Sequence, residues 1–196
     1  MIDNLEKVLP LISFNTEDDF YYLQIMQRRK EHADLSKNSR VIKNYYIRNL
    51  DYLLKQYDTI KDMCDYFGAR ACLRLNKRSF KKVAFRTMQN IVAQMIQDDF
   101  MSARQAFSKA CGQCHNDKNK KWIVDIDTHD IEIIESIKLA IDDCQPEGNK
   151  IITVIPSKNG CHLITSPFNM KQFKDIQSDI DVQKDNPTNL YIPYIN

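Results

Sequence analysis

The sequence predicts an α/β (α+β) fold, a mixed sheet with packed helices, and three observations carry that expectation. Apolar residues recur at helical spacing through Tyr46, Leu50, Leu53, Leu54, Tyr57, Ile60 and Cys64. Short β-branched or aromatic runs, such as Trp122-Ile123-Val124 and residues 151–155, break up the helical stretches. Strand and helix patterns alternate early in the chain and a hairpin pattern comes late, which suits helices packed on a sheet.

Each element has its own signal. Residues 19–30 begin aromatic and end basic, predicting a strand that delivers Arg28 and Arg29 at its end. Residues 31–40 are polar and read as a loop. The spacing then predicts a long amphipathic helix over 41–67, closed by Gly68 as its left-handed cap. A second strand over 69–75 again ends in basic residues. Ser79 has the chemistry of an N-cap for a helix running to Gln97, and a further helix over 99–110 leads into a polar loop at 111–120. After the Trp122 strand come a helix over 130–142 and a turn at 146–149. Strands 151–155 and 161–165 pair through the connection at 157–160. A short helix near 169–177 precedes a final extended segment through 190–193. We expect one compact domain over 1–196, with a basic α/β lobe at 1–115 and a second lobe at 116–196 around one cleft.

Bulk properties narrow the function. With 43% hydrophobic and 28% charged residues, the composition is that of an ordinary globular protein. No apolar stretch is long enough for a bilayer helix, and the N-terminus lacks the basic-then-apolar pattern of a secretory signal, so no membrane partner is expected. Six cysteines are scattered at 64, 72, 111, 114, 144 and 161, read as reduced thiols in a cytoplasmic protein. Net charge is only +2, yet basic residues gather at 28–30 and 70–86 while acids gather in the second half. A basic region facing an acidic site suits a polyanionic substrate; interspersed surface charge is the plainer explanation.

Asp125 and Asp127 follow the apolar run at a spacing of two. On a strand both carboxylates share one face while Ile126 points to the other. Adjacent like charges repel, and a hard divalent cation such as Mg²⁺ or Mn²⁺ relieves that repulsion. The competing use is structural, with Asp127 capping the helix near 130 and Asp125 paired to a lysine. A second motif, Pro156-Ser157-Lys158-Asn159-Gly160-Cys161-His162, sets a glycine turn and an imidazole between two strands. Turn amides bind phosphate and an imidazole bonds phosphate oxygen or moves a proton; otherwise this is a plain hairpin with a satisfied histidine.

In this order the two motifs resemble the catalytic core of the archaeo-eukaryotic primase superfamily, including primase-polymerases of phages and plasmids. The resemblance covers residues 119–193 and implies a two-lobed core with an RRM-like C-terminal lobe. It also implies two divalent ions (Mg²⁺ or Mn²⁺) on Asp125, Asp127 and a third acid, with Ser157, Asn159, Gly160 and His162 contacting the triphosphate. Asp181 is the candidate third acid, and Asp179 and Asp185 are its rivals. An arginine common after that third motif is missing here; Asn186 to Tyr191 stand in its place. Nucleoside triphosphates, DNA or RNA and other replication proteins are the implied partners, in the cytoplasm of a host if the protein is phage-encoded. The implied activity is nucleotidyl transfer onto a nucleic-acid strand. The alternatives are a non-catalytic nucleic-acid-binding accessory protein and a metal-dependent nuclease.

Upstream, Arg28, Arg29, Arg74, Lys77 and Arg78 are candidate contacts to template or triphosphate, or else solvate helix starts. Tyr21, Tyr22, Tyr45 and Tyr46 have the chemistry to stack bases, although aromatic residues at such positions are more often core. Cys111-Gly112-Gln113-Cys114-His115 matches the c-type haem attachment pattern. Without an export signal we expect no haem there. A structural zinc on Cys111, Cys114 and His115 lacks a second paired ligand motif, and an ordinary loop with free thiols is preferred.

Overall fold

Two antiparallel sheets, rather than one mixed sheet, organise the chain in the computed structural model, which describes residues 1–32, 35, 38–115 and 119–194. In chain order the first half holds β1 (Ile2–Asp3), α1 (Leu5–Val8), β2 (Asp19–Gln27), β3 (Arg40–Ile47), α2 (Leu50–Phe67), β4 (Arg70–Arg74), β5 (Arg78–Ser79), α3 (Phe80–Ile96) and α4 (Ala106–Gln113). The second half holds β6 (Trp122–Ile126), α5 (Ile131–Asp142), β7 (Ile151–Pro156), β8 (Cys161–Thr165), α6 (Met170–Ile176), β9 (Asp181–Gln183) and β10 (Pro187–Ile192). The α+β class therefore holds.

The first sheet runs β1-β10-β4-β2-β3, with β5 pairing the start of β2; the second runs β7-β8-β6-β9. Strand β10, the last in the chain, lies in the first sheet between β1 and β4. The second half of the chain is thus returned to the first. The two sheets also share a core: Leu23, Ile25, Ile60 and Leu73 pack in one cluster with Ile123, Ile155 and Ile164.

Alternation along β6 decides the orientation of the site. Ile123 joins the core shared with the first sheet, whereas Trp122, Val124 and Ile126 join a second cluster with Ile137, Ile141 and Phe173 of the covering helices. Asp125 falls on the Ile123 side by the two-residue period, facing the first sheet.

Local chemistry explains most boundaries. Asn49 caps α2 by accepting from Tyr52 N at 2.7 Å, and Gly68 closes it at φ 57. Ser79 and Asp130 cap α3 and α5 in the same way. The structure differs from the expected 41–67 helix at its start, because residues 40–47 form β3. Their burial alternates towards Tyr45 and Ile47, and the cap at Asn49 stops the helix extending backwards. Residues 111–113, expected in a loop, finish α4, and β1 and α1 were not foreseen. Part of the expected loops at 31–40 and 111–120 falls outside the described residues. Among the described residues no helix is long and apolar enough to cross a membrane.

Three polar side chains stitch the sheets together. Asn4, 1% exposed, donates to Pro156 O of β7 (3.0 Å) and to Asn189 O of β10 (2.9 Å). Asn76 donates to Lys121 O (3.0 Å) and Lys184 O (2.9 Å), and accepts from Lys121 N (2.7 Å). Asp185, between β9 and β10, pairs with both Arg74 and Arg78.

Two substitutions test this framework by urea unfolding. Arg78 has a fully buried side chain. Arg78→Ala leaves Asp185 underpaired, and we expect a loss of about 3–5 kcal/mol. A Cβ on Gly160 would lie 2.0 Å from Ile126 O and 2.6 Å from Thr128 N. Gly160→Ala should therefore cost about 3 kcal/mol, the upper end for overpacking, since backbone cannot give way as a side chain tip can. Near-wild-type stability of either variant contradicts the framework.

Candidate functional site

Strand register gathers the candidate residues. Asp125 of β6 stands opposite His162 of β8 on one side and Asp181 of β9 on the other. Directly opposed residues share a face, so the three side chains form a row across the second sheet. His162 Nε2 lies 3.4 Å from Asp125 Oδ1. On the other flank, Gln183 Nε2 donates to Asp125 Oδ2 (3.4 Å) and to Asp181 Oδ2 (2.7 Å). One partially positive amide thus sits between two carboxylates.

His162 is buried, and its Nδ1 shares a 2.9 Å hydrogen bond with Thr188 Oγ1 of β10. In the tautomer that carries its proton on Nε2, facing Asp125, Nδ1 accepts from the Thr188 hydroxyl. The first sheet thereby sets the ring's orientation through Thr188. The bond to His162 holds the Asp125 carboxyl below the usual aspartate range, against the upward push of burial, with help from the nearby Arg28 charge.

A cleft of about 370 Å³ between the sheets is lined by Asp125, Asp127 and His162 together with Arg28, Lys30 and Lys158, while Asp181 is exposed outside its lining. Asp127 is exposed just beyond the end of β6. Ser157 and Asn159 line the cleft from the β7–β8 turn, where Ser157 N donates to Gly160 O at 2.9 Å. Gly160 has a packing reason of its own, since the backbone of 126–128 passes against it. At the opposite wall, Arg70 holds Glu31 through a two-pronged ion pair and Lys158 approaches Glu31 at 3.6 Å.

Of the upstream basic candidates, Arg28 is exposed and lines the cleft. Arg29 lies beside Arg28 and Lys30 in an adjoining depression. Arg74, Lys77 and Arg78 are elsewhere. Arg74 and Arg78 turn to Asp185, Arg78 also donates to Cys111 O (3.1 Å), and Lys77 pairs with Asp19 at 2.9 Å. Asp185 is thus occupied with arginines, and Asp179 accepts from Ser178 Oγ at 3.0 Å, which leaves Asp181 as the acid in register with Asp125. Tyr21, Tyr22 and Tyr45 are buried, and Tyr46 stacks on Tyr22.

Sequence reasoning passed over Thr188, Gln183, Lys158 and Glu31. Gln183 had a signal in its two-residue spacing from Asp181; Thr188 had none, because its role depends on β10 returning to the first sheet.

The donor chemistry discriminates between metals. Carboxylate oxygens suit Mg²⁺ or Mn²⁺, and those of Asp125 and Asp181 converge on the Gln183 amide; among the described residues no three His, Cys, Asp or Glu side chains are grouped closely enough to hold a metal ion. Zinc at Cys111, Cys114 and His115 fits poorly. Cys111 is packed with Phe20 and Tyr22, and burial pushes its thiol up to about 12, away from the thiolate that zinc binds.

The Asp125–His162 pair predicts a pH signature. A depressed carboxyl contributes stability that is fully present above its unfolded pKa, about 3.9, and is lost as pH falls through the lower folded value. Carbon-detected NMR titration should place Asp125 below the ordinary aspartate range, and His162→Gln should move it upward. An Asp125 midpoint unaffected by that substitution contradicts the pairing.

No protein-family model, curated protein or solved structure matches this chain.

Proposed function

We propose that the protein is a metal-dependent nucleotidyltransferase of primase-polymerase type, adding nucleotides to a nucleic-acid strand at the cleft. One observation carries this reading: carboxylates, an imidazole held from behind and several cations line a single cleft. Phosphoryl transfer asks for that combination, because the reaction is mostly positioning and charge stabilisation.

In this reading the exposed Arg28, Lys30 and Lys158 draw the triphosphate and the strand into the cleft. The Ser157 to Gly160 turn borders the phosphates, and Asn159 offers its side-chain amide to them. His162, fixed through Nδ1, presents Nε2–H to the Asp125 carboxylate and keeps it ionised. Asp125 with Asp127 and Asp181 would hold Mg²⁺ or Mn²⁺. When bound, such ions neutralise phosphate charge and make a hydroxyl a better nucleophile. The Arg70–Glu31 pair keeps the far wall of the cleft in place.

A second reading, nucleic-acid binding without catalysis, is supported by one fact. Both Asp125 oxygens already have protein partners, so the carboxylate is satisfied as it stands.

The test is incorporation of labelled nucleotides on primed and unprimed templates with Mg²⁺ or Mn²⁺, with a parallel incubation lacking nucleotides to reveal cleavage. We expect extension, and Asp125→Asn should reduce it by at least about a hundredfold, more than the loss of an outer-shell partner costs. Salt-sensitive strand binding that survives Asp125→Asn, with no incorporation, would favour the accessory reading instead. Strand cleavage without extension would favour a nuclease.

A further inference from the structure

Helix α3 exposes an apolar stripe. Its inward side mixes Phe80, Val83 and Ile91 with Thr87, Asn90 and Gln94, of which Val83 and Gln94 are buried, and Phe80 stacks on Phe20. Asn90 donates to Gln113 Oε1 of α4 at 3.0 Å, Thr87 Oγ1 donates to its own helix at Val83 O, and Gln94 Oε1 is buried with no hydrogen-bond partner among the described residues. The opposite side carries Phe85 (59% exposed), Met88 (63%), Val92 (55%), Met95 (51%) and Ile96 (78%). Spacings of three and four put these side chains in one stripe, the pattern of a helix seam. Phe100 and Met101, also exposed, extend it past the helix end. A soluble surface helix normally shows water its polar face. A contiguous apolar patch of this kind marks an interaction surface.

The sequence of the stripe says what covers it. Within the helix, positions equidistant from Asn90 match in chemistry, Met88 with Val92 and Phe85 with Met95, while Lys81 and Lys82 stand in its first turn and Asp98 and Asp99 just beyond its last. All four of the charged residues are exposed. Two copies of α3 laid antiparallel therefore set apolar against apolar along the seam and lysine against aspartate at both ends. A parallel pair would oppose lysine to lysine and aspartate to aspartate. We propose that the α3 stripe is the interface with a second copy of this chain, formed as a two-fold antiparallel helix pair. Such a contact is isologous, as closed dimers require. The exposed apolar side chains together offer an area on the order of the ~800 Å² per partner that a specific interface buries. The proposal does not depend on the reading of the cleft.

Sedimentation velocity and light scattering up to about 200 μM decide it, a range that reaches weak micromolar dimers. The wild-type chain should dimerise and Met88→Glu should be monomeric, with circular dichroism confirming an unchanged fold at this exposed position. K81E/K82E and D98K/D99K should each weaken the dimer about tenfold or more, because like charges then meet at both ends. The four-site swap, K81E/K82E/D98K/D99K, should restore it. A monomeric wild type overturns the proposal, including one that instead co-floats with phosphatidylcholine vesicles. So does a dimer indifferent to Met88→Glu, or a four-site swap that fails to restore pairing.

Discussion

Asp185, in the connection between β9 and β10, pairs with Arg74 of β4 and Arg78 of β5. Its carboxylate lies between two arginines, one of them with a fully buried side chain, and Asn76 donates to its other oxygen at 3.2 Å. A buried guanidinium is tolerated only when paired and hydrogen-bonded. Here that requirement joins β4 and β5 of the first sheet to the connection between β9 and β10. It fixes where β9 lies against β6 and where β10 re-enters the first sheet. Asp181 and Gln183 sit on the first of those strands, Thr188 and Asn189 on the second.

The cleft follows from that clamp and from Asn4 at the other end of the joint. Held between them, the second sheet turns the Asp125 side of β6 towards the first sheet and its other side towards α5 and α6. Burial would raise the Asp125 carboxyl if it stood alone; His162 reverses the direction. His162 in turn depends on Thr188, so the charge state of the central carboxylate is set by both sheets. Gly160 has a similar double standing. It ends the hairpin that carries His162, and only a missing Cβ lets the Ile126 carbonyl pass so close.

How much of this was legible in the sequence depended on distance along the chain. The Asp125/Asp127 spacing, the hairpin bearing His162 and the caps at Ser79 and Gly68 are local, and the structure has each where the pattern put it. Asp181 could be nominated but not distinguished from Asp179 and Asp185, because the choice rests on β6–β9 register. Arg74 and Arg78 are expected at template or triphosphate and Asp185 as a rival third acid, and the fold pairs them with one another. More than a hundred residues separate partners that no local pattern connects. The period that joins Tyr46 to Leu50 predicts a helix from residue 41, although Asn49 between them is a good cap and residues 40–47 form β3. In α3 the cap at Ser79 announces the helix but does not say which of its faces turns inward.

We propose the Asp125 row as a seat for divalent ions and nucleotide phosphates. A crystal structure grown with Mn²⁺ and a non-hydrolysable nucleoside triphosphate, with anomalous scattering used to locate the metal, tests this. Mn²⁺ should lie on Asp125 together with Asp127 or Asp181, with Gln183 displaced from between the carboxylates and phosphates beside Arg28 and Lys158. Manganese absent from Asp125, or a nucleotide bound away from the cleft, would contradict it.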